Sequence, residues 1–269
     1  MSAMLVRMAD TVLYDLTDGL ATVTLNRADA MNALDEATKN ALRDALQEAA
    51  GDSAVRAVLL TGTGRAFCVG QDLKEHVQSL HSSGGSALNT VEEHYNPITL
   101  ALASMPKPVV AGVNGVAAGA GAGFAFAADY RVIADTAAFT TAFAGVALST
   151  DSGMAWTLPR LVGPARATEL LLFPRTVKAP EALELGLAHR VVPADRLAEE
   201  ARAVARTLAD GPTLAFAAMK EAMAFGTSHS LADTLAKESE LQLRAGASRD
   251  HRIAVEAFVA KERPKFTGS

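Results

Sequence analysis

The sequence predicts an α/β fold with an all-helical C-terminal part, on three observations. Short, near-continuous apolar runs such as VRAVLLT (55–61) and VVAGV (109–113) alternate with helix-periodic segments. That is the pattern of parallel strands covered on both faces and joined by right-handed crossover helices. Beyond about residue 151 the apolar spacing turns helical and Ala/Leu-rich. Finally, 49% of the 269 residues are hydrophobic and 20% charged, a composition that excludes a disordered chain and suits one large domain or a domain with an appendage.

The elements follow in order. Residues 12–16 and 20–25 flank Asp18-Gly19, a strong hairpin signal. Residues 32–50 carry Leu34, Ala41, Leu42, Ala45, Leu46 and Ala49 at amphipathic helical spacing, and Gly51 closes the run. The strand at 55–61 ends at Gly62-Thr63-Gly64. LKEHVQSL (73–80) predicts a short helix, and HSSGGSAL (81–88) is the most loop-like stretch. Residues 95–104 read as helix stopped by Met105-Pro106, 109–113 as strand, 119–128 as a small-residue helix and 130–133 as a buried strand. Helices are then expected at 164–173, 180–185, 196–209, 212–225, 230–245 and 248–261, with Pro164, Pro180 and Pro212 in first turns. The division is therefore a core over 1–195 and a helical oligomerisation region over 196–269.

Charge and cysteine content exclude several classes. With 25 basic against 30 acidic residues, a net charge of -5 and no basic cluster, nucleic acid is not an expected partner. One cysteine rules out a disulfide framework and a cysteine zinc site, and points to a reducing, cytoplasmic setting. The N-terminus reaches Arg7 and Asp10 before any signal-peptide core. Residues 109–128 are long and uncharged enough to span a membrane, but they are mostly Ala and Gly and Asn114-Gly115 interrupts them, so a soluble strand and helix is expected.

Two glycine-rich segments are candidate ligand cradles: 62–72 (GTGRAFCVGQD) and 115–123 (GVAAGAGAG), each after a buried strand. Neither is a phosphate-binding P-loop or a dinucleotide fingerprint, because the required third glycine or the Gly-Lys-Ser/Thr ending is missing. Backbone N–H groups at a strand's carboxyl end and at a helix start favour an anion, and close packing of small residues explains the same letters.

The combination is more specific. LTGTGRAFCVGQDL (60–73), then MPKPVVAGVNGVAAGAGAGFAFAADYRVIAD (105–135), then DSGMAWTLPRLVGPARATELLL (151–172) resembles the crotonase family, the enoyl-CoA hydratases and isomerases. The likeness runs from TVTLNRADAMNALD (22–35) to EAFVAKERPKFTG (256–268). It implies a ββα spiral core with C-terminal helices that pack trimers, often two stacked as a hexamer, and an acyl-CoA thioester substrate with no separate cofactor. It further implies that the backbone N–H groups of Val69 and Ala120 hold the thioester oxygen while Gly70, Gly119 and Gly121 let the ester approach. Coenzyme A contacts would fall to Arg27, to Ala66 and Phe67, to the neighbouring Gln71 and Asp72, and to Phe258 and Lys261 serving an adjacent subunit.

Which reaction follows depends on acid–base groups. The two glutamates of the hydratases match Gly123 and Phe143 here, and neither residue carries a proton. Syn addition of water needs one group to activate the water and one to protonate carbon. Asp151, in LSTDSGMAW, resembles the aspartate of phenylacetate-pathway isomerases and lies where the chlorobenzoyl-CoA dehalogenase branch has its nucleophile. One carboxylate among apolar residues can take a proton from one carbon and return it to another, which is double-bond migration. The residues alone also make Asp151 a helix N-cap. Isomerisation is the first expectation; hydration with a non-standard acid, hydrolysis or dehalogenation through Asp151 as nucleophile, and an inactive acyl-CoA binder are the alternatives.

Of the other candidates, Cys68 reads as a buried small hydrophobe and Trp156 as core or pocket wall. His76, His81 and His94 read as surface or loop residues in the stretch that lines the acyl pocket, with help in an acid–base step as the alternative. Glu75, Glu92 and Glu93 read as solvated, with a swing toward substrate as the alternative. No metal-ligand spacing appears.

Overall fold

The computed structural model describes residues 7–9, 11–83 and 88–269; the centre of the loop expected at 81–88 and most of the N-terminal segment lie outside them. Strands β1 (Arg7–Ala9), β2 (Val12–Thr17) and β3 (Leu20–Leu25) lead to helix α1 (Glu36–Gly51), β4 (Ala57–Gly62) and β5 (Ala66–Cys68). Helices α2 (Leu73–Ser83) and α3 (Asn96–Ser104) precede β6 (Val109–Val113), β7 (Val116–Ala118) and α4 (Ala120–Ala127). Then come β8 (Tyr130–Ala134), β9 (Ala138–Thr140), α5 (Met154–Val162), α6 (Pro164–Leu172), β10 (Val177–Lys178), α7 (Ala179–Glu184) and β11 (Arg190–Val192). Four helices finish the chain: α8 (Leu197–Ala209), α9 (Thr213–Gly226), α10 (Leu231–Gly246) and α11 (Arg249–Ala260).

Two sheets emerge, in the orders β1-β2-β3-β4-β6-β8-β11 and β10-β9-β7-β5. The larger is parallel from β3 through β11, with Leu60 opposite Val23 on one side and Ala111 on the other. The hairpin turns at Asp18-Gly19, whose φ values of 51 and 83 belong to the tight turn that Asp-Gly favours. In the smaller sheet β5, β7 and β9 run parallel. The chain therefore lays one strand in the large sheet, the next in the small sheet, then a helix, and repeats. This is the ββα spiral expected from the family resemblance.

α8 lies across β4, β6 and β8. A side-chain carbon on Gly112 would come 3.1 Å from the Ala201 Cβ, so the helix sits directly on β6. It covers the core, although the sequence groups it with the C-terminal helices. α9 and α10 pair beyond it, and Lys220 ties α9 back through the Lys107 carbonyl at 3.0 Å and Asp129 at 2.7 Å. No helix among the described residues is long and apolar enough to cross a membrane; 109–128 forms two strands and a short helix.

Three expectations need correction. α1 begins at Glu36 under an Asp35 cap rather than at residue 32, because Asn32 is a buried plug with φ 56. Its side chain accepts from the Arg27 amide at 2.8 Å and donates to the Ala66 carbonyl at 2.8 Å and the Thr63 carbonyl at 3.0 Å. Leu34 matches the helical period because it faces the core, yet its amide donates to the Gly70 carbonyl at 2.8 Å. The stretch after residue 151 is not purely helical, since β10 and β11 complete the two sheets. Pro212 is the cap residue before α9 rather than part of its first turn.

Candidate functional site

The site forms where β5 and β7 leave the small sheet. Val69 follows directly on β5, and Ala120 is the first residue of α4, where a helix offers no internal acceptor for its N–H. The surrounding backbones touch. A side-chain carbon on Gly70 would lie 3.0 Å from the Ala118 carbonyl oxygen and 3.5 Å from the Ala120 nitrogen. One on Gly121 would lie 2.1 Å from the Cys68 oxygen. The residues flanking Val69 thus press on those flanking Ala120, and the two segments share one small space. Gly70 (φ 83) and Gly119 (φ 52) supply backbone conformations that other residues rarely adopt, and the Gly119 amide is fixed on the Thr140 carbonyl at 3.1 Å.

Asp151 lies in the loop before α5, close enough to Tyr95 for its charge to act on that phenol. A side-chain carbon on Gly123 would meet the Ser152 Cβ and carbonyl oxygen, each at 2.7 Å, so the fourth residue of α4 is pressed against the residue next to Asp151. Ser152 is fully buried and donates its hydroxyl to Asp151 Oδ1 at 2.8 Å. Burial pushes the Asp151 carboxyl above its ordinary range, and the Ser152 hydrogen bond opposes that rise. The capping role is corrected here: Gly153 (φ 70) occupies the cap position of α5, and Asp151 contributes only its carbonyl, which accepts from the Met154 amide at 2.9 Å. At the other glutamate-equivalent position, Phe143 is buried.

The residues expected around coenzyme A are largely paired within the protein. Arg27 donates to the Ala33 carbonyl at 2.5 Å and bridges Asp72 at 3.1 Å and Asp35 at 3.0 Å. Asp72 also accepts from the Lys74 and Glu75 amides, which starts α2, and despite its burial these partners hold its carboxyl below the usual value. Ala66 and Phe67 are buried strand residues, and the Ala66 carbonyl accepts from Asn32 and Asn114. Phe258 and Lys261 sit exposed at the end of α11. Burial pushes the Cys68 thiol up to about 12, so it stays protonated and inert.

A polar cluster behind the 69–72 loop escapes the sequence reading. The buried Lys39 ammonium donates to Glu75 at 3.0 Å, Thr90 at 3.0 Å and Gln71 Oε1 at 3.4 Å. The Tyr95 hydroxyl donates to the same Gln71 oxygen, and Gln71 Nε2 donates to Glu75 at 3.3 Å. Thr90 meets His94 Nδ1 at 3.2 Å. Glu75 and His94 are therefore not free surface groups; burial, and then the Lys39 charge, holds His94 below its ordinary value and neutral. Burial, and then the charge of Asp151, pushes the Tyr95 phenol well up, so it remains a donor. The signal was present: Lys39 stands three, seven and ten residues before Leu42, Leu46 and Ala49, on the buried stripe of α1.

A cleft of about 1150 Å³ opens between α3, α5, α9 and α10, reaching Thr99, Gly153 and Trp156. Its lining includes neither Asp151 nor anything from 66–72 or 119–123. Among the described residues, no three of His, Cys, Asp or Glu converge to hold a metal ion.

Comparison with known proteins matches residues 15–269 to the family model described as enoyl-CoA hydratase/isomerase. A Rhodobacter capsulatus protein named "Probable enoyl-CoA hydratase" is 46% identical over 96% of this chain and 98% of its own length. The 1,2-epoxyphenylacetyl-CoA isomerase of Escherichia coli is 39% identical over 97% of this chain and 100% of its own. A crystal structure from Mycobacterium abscessus, described as a "putative Enoyl-CoA hydratase/isomerase", superposes with a TM-score of 0.93 at 46% identity, covering 96% of this chain and 100% of that one.

Proposed function

The chain belongs to the enoyl-CoA hydratase/isomerase family, and from that premise we propose that it is an enoyl-CoA isomerase in which Asp151 moves the proton. The N–H groups of Val69 and Ala120 hold the thioester oxygen. Asp151 takes a proton from the α-carbon of a 3-enoyl-CoA, and the electron pair left behind spreads through the carbonyl and the double bond as a dienolate. The same carboxyl returns the proton at the γ-carbon, giving the 2-enoyl ester with no net gain or loss of atoms. Each amide aimed at the developing oxyanion contributes about 2.7–4 kcal/mol in a site closed to water. A carboxylate raised by burial is a stronger base than one in water, which suits it to a weakly acidic carbon.

The observation that carries this reading is the contact between Gly123 and Ser152. Where the hydratases have a glutamate on this helix, a side chain has no room, and Asp151 stands next to the contact instead. Phe143 fills the second glutamate position with a buried ring. The names of the relatives support both halves of the family: hydratase for one at 46% identity, isomerase for one at 39%. Hydration with a second, non-standard acid is accordingly the second reading. No separate cofactor enters either scheme, because coenzyme A arrives as part of the substrate.

The test is Asp151→Asn, close to isosteric. Turnover of a 3-enoyl-CoA should fall at least about 1000-fold while a saturated CoA ester still binds; a general base is ordinarily worth 10²–10⁴. Turnover within twofold of wild type removes Asp151 from the reaction. Product analysis of a 2-enoyl-CoA incubation separates the readings, since a 3-hydroxyacyl ester marks hydration. An acyl adduct on the quenched enzyme would instead mark Asp151 as a nucleophile, and binding without turnover would mark a binder. We expect trimers or paired trimers in light scattering, with Met219, Met223, Leu235, Leu243 and Val259, all exposed on α9 to α11, as interface material.

A further inference from the structure

Three groups outside the reaction converge on the loop that carries Val69. Gln71 lies two residues beyond it, and both ends of its amide are held: Lys39 from α1 and Tyr95 from the start of α3 meet the oxygen, while Glu75 from α2 meets the nitrogen. The Lys39 ammonium has an acceptor for each of its three N–H bonds, so the buried cation is satisfied and fixed in place. The Tyr95 ring meanwhile packs edge-on against Phe124 of α4, with centroids 6.0 Å apart at 71°. One side chain therefore touches the loop bearing one amide by its hydroxyl and the helix bearing the other by its ring. It is itself buried, with 2% exposure, and has no freedom to follow either segment independently.

We propose that Tyr95, acting through Gln71 and rooted on the buried Lys39, is the positioning residue that sets the spacing of the Val69 and Ala120 amides. The loop's backbone has one tie of its own, the Gly70 carbonyl accepting from the Leu34 amide at 2.8 Å, and that tie lies beyond the Val69 amide. Val69 is followed by Gly70, the most permissive residue for rotation of the peptide planes around it. Gln71 is the first position where a side chain can hold the loop, and its amide is held from three helical elements at once. This inference rests on the proposed role of the two amides in binding the thioester oxygen.

The experiment measures the carbonyl stretch of a saturated acyl-CoA ester carrying a ¹³C thioester carbonyl, free and bound, alongside kcat and KM with a 3-enoyl-CoA and the thermal midpoint. Wild type should lower the stretch on binding. Tyr95→Phe keeps the ring on Phe124 and loses only the hydroxyl; Gln71→Met keeps the volume and loses the acceptor. Both should lose more than half of the wild-type shift and at least about tenfold in kcat, with KM within twofold, in line with the roughly 100-fold that a 1 Å misplacement costs. A lower thermal midpoint with full shift and full kcat would make the cluster merely structural and overturns the inference. If Gln71→Met does not fold, Tyr95→Phe alone decides by the same criteria. A wild-type complex with no shift overturns the amide pair itself, and this inference with it; a wild-type shift that both variants retain overturns this inference alone.

Discussion

In the seven-stranded sheet, β4 and β6 bury Val58, Leu60, Val109, Val110 and Val113 with no exposure at all, and α8 closes over the face that carries Leu59, Val110 and Gly112. In the four-stranded sheet the strands are two or three residues long, and the contacts that matter are between backbones: Gly121 against Cys68, Gly123 against Ser152. The first region is held by side-chain volume and tolerates adjustment of shape at a cost in free energy. The second is held by the absence of side chains, which lets main-chain segments approach closely. On the proposed mechanism, stability and function are thereby lodged in different parts of one molecule, and substitutions should separate them.

The largest effect is expected at Gly121→Ala. The new methyl would stand 2.1 Å from the Cys68 oxygen, with backbone rather than a flexible side chain in its way, so β5 or α4 must shift. Because Val69 and Ala120 flank that contact, kcat should fall at least about 100-fold, comparable to losing one oxyanion donor. Turnover within twofold of wild type would mean that the contact does not aim the amides. The contrasting substitution is Leu60→Ala in β4, fully buried between β3 and β6. It should lower unfolding free energy by about 2–5 kcal/mol in denaturant titration. The folded enzyme should keep kcat within twofold below its transition. A large loss of kcat there would erase the division between the sheets.

The same difference governs what the amino-acid sequence revealed. Val58, Leu59 and Leu60 make a run whose hydrophobicity specifies a doubly covered strand, and Asp18-Gly19 specifies its turn by backbone conformation; both were legible. β7 (VAA) and β9 (AFT) are too short for any periodicity to register, and their partners are set by the ββα spiral rather than by their own residues. The spiral itself was read from family resemblance, as were the amide roles of Val69 and Ala120, since a main-chain donor leaves no trace in residue type. Asp151 was legible as a carboxylate amid small and apolar residues, but its local geometry was not: helix-capping chemistry predicted a cap, and the left-handed turn at Ser152 and Gly153 moved the cap onward. Lys39 could have been noticed, because a charged residue on the apolar stripe of α1 demands buried partners. Those partners, Gln71, Glu75 and Thr90, lie 32, 36 and 51 residues further along the chain, and only the fold assembles them.

The smallest effect concerns what the functional side pays in stability. Burial raises the Asp151 carboxyl in the folded protein above its value in the unfolded chain, against the weaker pull of the Ser152 hydroxyl. A group raised in this way supports the fold fully below its unfolded pKa and loses that support as pH climbs through the folded value. At pH 7 to 8 the charged carboxylate is therefore a burden that Asp151→Asn removes. The variant that abolishes turnover should show a higher thermal midpoint than wild type in this range, by less than the drop caused by Leu60→Ala. The gap should narrow as pH falls, because wild type then carries a neutral carboxyl that resembles the amide. Paired melting curves from pH 4 to 8 would measure it. A gap that is constant with pH, or widens toward acid, would mean that burial does not raise the Asp151 carboxyl, and would remove the reason for treating it as a strengthened base.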